Sequence, residues 1–250
     1  MTGNLPWPII ILSLDGEDAR RAPLLDSLTA LGLPYEVFIG IDGRKGLTPR
    51  WEAEIDRNAA RQHLGRDMTD GEFACALSHR EIYRRILQEG WDGAVVLEDD
   101  AVFALEFSKF MTQKLYTKAD IIMLYHSHAR VRGGASTILP GVKMYKLAYS
   151  SSGAVGYCLN RKAAVLLNTA NTPVCKVADW PSTFIGISAT VLVPQIVSHP
   201  PEAFEFSHLE EQRGAVTPRR DTRSFTRHKR IFKLSFWKSW IGKRLSRRVS

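Results

Sequence analysis

Short apolar runs separated by amphipathic stretches set the rhythm of this chain. Residues 8–14 (Pro8-Ile9-Ile10-Ile11-Leu12-Ser13-Leu14) form a nearly continuous apolar run, the pattern of a strand buried on both faces. Leu24, Leu25, Leu28 and Leu31 then recur at helical spacing, and Gly32 stops the pattern. Tyr35–Ile41 returns to strand character and closes at Asp42-Gly43. This strand–helix–strand order with short links predicts parallel pairing under a cover of helices.

The alternation continues downstream. A short helix is expected around Trp51–Ala60. Thr69 and Glu72 have capping-box spacing, and Phe73, Leu77, Ile82, Ile86 and Leu87 carry a helical period as far as Gly90. Ala94–Leu97 reads as a buried strand, 101–116 as a helix and Asp120–Tyr125 as a strand. The stretch to Gly134 reads as a loop made flexible by Gly133-Gly134, an ordinary turn or a closing flap. Val142–Tyr149 and Ala154–Leu159 are expected strands, and Arg161–Thr169 a helix. Ala189–Val197 contains Pro194, which places it at a sheet edge. Beyond about Pro200 the signals for order weaken.

The chemistry concentrates where Ala94-Val95-Val96-Leu97 runs into Glu98-Asp99-Asp100. On an extended backbone Glu98 and Asp100 share one side and Asp99 takes the other. Two converging carboxylates repel unless a cation separates them, and oxygen ligands select a hard divalent ion, Mg²⁺ or Mn²⁺. The competing reading is a solvated acidic turn.

Bulk properties narrow the class. The chain has 250 residues, 44% hydrophobic and 24% charged, which suits one soluble domain with a small appendage. No apolar run approaches the length of a membrane span. The first run lacks a basic leader and meets Asp15-Gly16-Glu17-Asp18, so it is expected to be a strand, not a signal peptide. Cys75, Cys158 and Cys175 show no metal or CxxC spacing, which suits a reducing compartment. The net charge of +8 is concentrated at one end: residues 222–250 hold ten Lys or Arg and no acid. The remainder is near neutral, which argues against a body-wide nucleic-acid surface. We therefore expect a domain over 1–205 and a basic, aromatic-rich tail over 206–250.

An ordered set of motifs resembles glycosyltransferase family 25, the lipopolysaccharide and lipooligosaccharide enzymes that include many galactosyltransferases. It comprises Leu14-Asp15 with Ala19-Arg20-Arg21, Ile41-Asp42-Gly43, Gly71-Glu72 with Cys75, and Ser78-His79. Leu97-Glu98-Asp99-Asp100, Gly153-Ala154-Val155-Gly156-Tyr157 and Ala178-Asp179-Trp180-Pro181 complete it. The resemblance implies an α/β fold of GT-A type, a Rossmann-like, mostly parallel sheet flanked by helices. It also implies a nucleotide-sugar donor and a DxD-like metal motif. Ser13 stands where many relatives are expected to carry Asn, a change that weakens or alters a donor-side contact.

On this resemblance Glu98 and Asp100 would hold Mn²⁺ or Mg²⁺, with Asp99 on the opposite face or on the ribose. Asp15, Arg20 and Arg21 follow the first strand, where open α/β sheets bind ligands, and the Arg fork suits a diphosphate. Glu72, Ser78 and His79 precede the acidic strand as donor-side groups, although Glu72 can equally complete a helix cap. Asp179 beside Trp180 suits a general base for an acceptor hydroxyl, against a plain turn Asp before Pro. His126, His128 and His199 are candidates for a further metal ligand. The expected reaction is inverting transfer of galactose from UDP-galactose to a lipid-linked glycan, with UDP-glucose or a UDP-N-acetylhexosamine as alternative donors. The tail interleaves basic residues with Leu234, Trp237, Ile241 and Leu245, which suits an anionic membrane surface on the cytoplasmic side. A silent, membrane-associated sugar-nucleotide-binding protein and a nucleic-acid-binding protein are the competing classes.

Overall fold

The computed structural model describes residues 6–127, 129–148, 151–178, 186–200 and 246–249. Strand β1 (Ile9–Ser13), helix α1 (Asp18–Ala30) and strand β2 (Tyr35–Ile39) form the expected opening unit. Two helices, α2 (Pro49–Glu52) and α3 (Arg57–Leu64), replace the single one expected near Trp51. The backbone between them is drawn into pairing with Val174, which interrupts helical bonding. Helix α4 (Asp70–Gln88) leads into β3 (Gly93–Glu98).

The helix expected over 101–116 is shorter than its pattern suggested. Val102–Phe103 forms strand β4, followed by α5 (Glu106–Thr112) and a 3-10 turn at Leu115–Lys118. Then come β5 (Ile121–Met123), β6 (Ala129–Leu139), β7 (Val142–Leu147), β8 (Gly156–Asn160) and α6 (Arg161–Ala170). Strands β9 (Ala189–Val193), β10 (Val197–Ser198) and β11 (Arg247–Val249) complete the set. Antiparallel pairing of β10 with β4 is what diverts Val102 and Phe103 from a helix.

Nine strands make one mixed sheet in the order β11-β6-β7-β9-β5-β8-β3-β1-β2. Following the pairings across it, six strands run one way and β8, β7 and β11 run the other. Two sequence expectations are corrected here. Gly133 and Gly134 lie inside β6, where the register on β7 shifts between Arg132 and Ala135, so they form a bulge in a strand and no loop. Strand β9 is interior, between β5 and β7, because Pro194 falls just past its last paired residue and costs no ladder bond.

Strand parity divides the core. In β1, Ile9 and Ile11 pack with Leu24 and Leu28 of α1 and with Phe107 and Phe110 of α5. Ile10 and Leu12 pack on the other face with Ile82, Tyr83 and Ile86 of α4. In β3, Val95 and Leu97 join the first face, and Ala94 and Val96 the second. Each fully buried Ile or Leu is worth about 1.5–3 kcal/mol, so this layer fixes β1 and β3 side by side. Their carboxyl ends therefore emerge together, with α1 on one side and α4 on the other.

Helix α4 starts where its sequence says it should. Thr69 Oγ1 accepts from the Glu72 amide at 3.1 Å, and the Glu72 carboxylate accepts from the Thr69 amide at 3.0 Å. Thr69→Ala should lower stability by about 1 kcal/mol. The check is a lower urea midpoint with an unchanged slope.

Candidate active site at the acidic strand end

Parity also assigns the three carboxylates. Glu98 continues the Ala94–Val96 side of β3 and meets α4, where His79 Nε2 lies 3.4 Å from its Oε1. Asp99 continues the Val95–Leu97 side and meets α1. It accepts from Ser13 Oγ at 2.8 Å and from Arg20 Nε at 2.8 Å. Asp100 departs from the expectation that it shares a side with Glu98. The strand ends at Glu98, the chain turns with Ala101 bonding back to the Glu98 carbonyl, and alternation ceases. Asp100 Oδ2 instead accepts from Arg20 Nη2 at 2.6 Å. One guanidinium thus spans Asp99 and Asp100.

Arg20 was expected to bind a diphosphate; here its fork holds the acidic turn. Arg21 donates to Ser13 Oγ and to the Leu14 carbonyl, each at 3.2 Å, and pairs with Asp18. Ser13, singled out as a departure, is buried and ties β1 directly to Asp99. Asp15 is exposed in the turn after β1.

The residues of α4 divide into supports and one inward-facing group. Glu72 is buried, and its carboxylate is engaged by the helix cap and by Arg66 at 2.6 and 2.7 Å. Ser78 Oγ accepts from the Ile41 amide at 2.8 Å and donates to the Ala74 carbonyl at 2.7 Å, pinning the segment after β2 to α4. Gly40 leaves room beside it, since a Cβ there would lie 2.9 Å from Leu12 Cδ1 and 3.0 Å from Ser78 Oγ. His79 alone of the three reaches the acidic end. Its Nδ1 meets the Tyr157 hydroxyl at 2.8 Å.

Of the remaining candidates, His126 is buried with Nε2 against the Leu192 carbonyl at 3.1 Å, and burial holds its ring below the usual basicity. It reads as a core histidine. His199 lies close enough to Asp100 to act on it electrostatically, while its Nε2 meets the Tyr125 hydroxyl at 2.9 Å. His128, Asp179 and Trp180 lie outside the described residues. Tyr157, Tyr125 and the Arg20 clamp were not assigned these roles from sequence. Hydroxyl partners across a sheet leave no spacing signal.

The electrostatics leave a charge deficit. Burial pushes the Asp99 carboxyl up, and Arg20 and Ser13 only partly oppose it. Burial and the neighbouring Glu98 push the Asp100 carboxyl up. Burial works against the Arg20 charge, but Asp99 and Asp100 together hold its pKa above the ordinary value. Asp100 Oδ1 is buried and has no hydrogen-bond partner. An orphaned carboxylate oxygen beside a second carboxylate fits a hard divalent cation with oxygen ligands.

A family profile described as "Glycosyltransferase family 25 (LPS biosynthesis protein)" matches residues 7–179, which spans β1, the acidic turn and α6. The chain belongs to glycosyltransferase family 25. It is 28% identical over 161 residues to "Probable inactive glycosyltransferase 25 family member 3" of Rattus norvegicus, covering 58% of this chain and 28% of that protein. It is 26% identical over 162 residues to "Lacto-N-neotetraose biosynthesis glycosyltransferase LgtE" of Neisseria meningitidis serogroup B, covering 61% and 56%. It is 23% identical over 167 residues to "Lipooligosaccharide biosynthesis protein lic2B" of Haemophilus influenzae, covering 63% and 61%. The matches thus span less than two thirds of each of these relatives. Among the described residues no helix is long and apolar enough to cross a membrane.

Arg20→Ala in this family 25 chain should be destabilising, by about 2–3 kcal/mol, because it strands the buried Asp99 and the half-buried Asp100. The sign with pH follows. Asp99 and Asp100 bind protons more readily folded than unfolded, and more so without Arg20. The native state therefore loses stability as pH rises through the carboxylate range. The Arg20→Ala deficit should be largest at neutral pH and shrink towards about pH 4. Urea midpoints of both proteins at the two pH values check it.

Proposed function

We propose that this family 25 chain transfers a hexose, galactose from UDP-galactose, to a lipopolysaccharide or lipooligosaccharide acceptor with inversion. The observation that carries the reading is the Arg20-clamped turn at the carboxyl ends of β1 and β3, with Asp100 Oδ1 left without a partner. Open α/β sheets bind nucleotides at that edge. The Haemophilus relative's name supports a role in lipooligosaccharide biosynthesis, and the neisserial relative's name a role in building a glycan, lacto-N-neotetraose. UDP-glucose and UDP-N-acetylhexosamine remain alternative donors, since discrimination rests on single hydroxyl contacts.

In this reading Glu98 and Asp100 would hold Mn²⁺ or Mg²⁺. When bound, the ion neutralises charge on the departing diphosphate. Arg20 keeps Asp99 and Asp100 in place, and Ser13 fixes Asp99 against β1. Asp15 and Arg21 lie on the donor side of the same edge. Asp179 takes the proton of the acceptor hydroxyl during attack. The basic tail holds the protein on an anionic membrane surface at the cytoplasmic face, where a lipid-linked acceptor is presented.

The test is calorimetric titration of UDP with and without Mn²⁺. Wild type should bind about tenfold or more tightly with the ion, a difference of about 1.4 kcal/mol, and Asp100→Ala should lose that gain. No UDP binding under either condition would overturn the reading. Asp179→Asn should keep UDP affinity and lower transfer about 10²–10⁴-fold in turnover assays. A second reading, a silent sugar-nucleotide-binding protein, draws on the rat relative's description as a probable inactive member. Hydrolysis or transfer of the donor by the purified chain would exclude it.

A further inference from the structure

Glu98 faces a second set of ligands on α4. Cys75 and His79 are four residues apart and share one helix face. Their sulfur and ring nitrogen converge with a Glu98 carboxylate oxygen, all three within 4.8 Å of one another. His79 is 1% exposed, and its orientation is set from behind. The Tyr157 hydroxyl donates to Tyr83 at 3.5 Å and meets His79 Nδ1 at 2.8 Å. In the tautomer that a bound cation would require, the Tyr157 proton goes to Tyr83, Nδ1–H donates to Tyr157, and Nε2 keeps its lone pair.

That lone pair points at Glu98 Oε1, 3.4 Å away. The separation is long for a hydrogen bond, and in this tautomer it sets two acceptors against each other. It matches the edge of a tetrahedron around an ion with bonds of about 2.0–2.1 Å, roughly 3.3 Å. A metal-binding histidine usually donates its other ring N–H to an oxygen acceptor, and the Tyr157 oxygen stands in that place here.

We propose that Cys75 Sγ, His79 Nε2 and a Glu98 carboxylate oxygen form a site for a thiophilic divalent cation of the Zn²⁺ class. Its sulfur and nitrogen ligands distinguish it from the oxygen-ligated ion proposed at Glu98 and Asp100, with which it would share Glu98. Binding releases the Cys75 thiol proton to solvent, so the ligand is the thiolate. The Glu98 side chain is 27% exposed, which leaves an approach for the ion and a fourth position for water. The inference does not rest on the nucleotide-sugar reading, because its test contains no nucleotide.

The test is titration of the full chain with Co²⁺, followed by ultraviolet and visible absorption. Wild type should develop a thiolate-to-cobalt charge-transfer band and intense tetrahedral visible bands, both displaced by Zn²⁺. Cys75→Ser should lose the charge-transfer band, and Cys175→Ser should keep it. Tyr157→Phe should weaken Zn²⁺ binding about 10–100-fold in competition with a chelating dye, while circular dichroism shows the fold retained. Absence of the charge-transfer band in wild type, or its survival in Cys75→Ser, would overturn the proposal.

Discussion

Three successive carboxylates at the end of a buried strand repel one another, and the structure resolves this with partners on two sides. The guanidinium of Arg20, reaching from α1, is the central one. It neutralises Asp99 and Asp100 together and draws the turn against the end of β1. Removing a partly buried counter-charge leaves two carboxylates without it, which makes this clamp a constraint on everything around it. Ser13, Arg21 and the first turn of α1 are arranged to serve it.

The same constraint explains why the site is incomplete. Arg20 supplies one positive charge to a cluster of three carboxylates, and Asp100 Oδ1 is left without a donor. A native state that tolerates such a deficit is typical of a place built to receive charge from outside. Glu98 stands at the junction. It belongs by sequence to the acidic turn and by parity to the α4 face with Cys75 and His79.

Much of this was legible from residue patterns. The apolar run at 9–13, the Leu24/Leu28 stripe and the Thr69/Glu72 box each specify a local structure without outside help. The acidic strand end was legible for the same reason: β3 is continuous and meets its carboxylates without a break. What failed depended on partners remote in sequence. Val102 and Phe103 look helical until β10 pairs with them, and Gly133-Gly134 looks like a loop until β7 holds it in a bulged strand. Alternation predicted Glu98 and Asp99 correctly and failed at Asp100, because it holds only while the backbone stays extended. The roles of Tyr157 and Arg20 needed coordinates, since their partners lie 78 and about 80 positions away.

Strand β11 gives the end of the chain a place in the fold. Arg247–Val249 pairs with Ala129–Val131 along the outer edge of β6, and Arg130 donates to Ser246. That edge lies six strand positions from β3, about 29 Å at the usual spacing. A short strand bearing two arginines shields backbone groups that would otherwise recruit another chain. Deleting everything after residue 200 to probe the basic segment would therefore also open a sticky sheet margin. Any resulting loss of solubility would then confound a test of what the segment binds, so an internal deletion that preserves 246–249 is the cleaner way to isolate the segment.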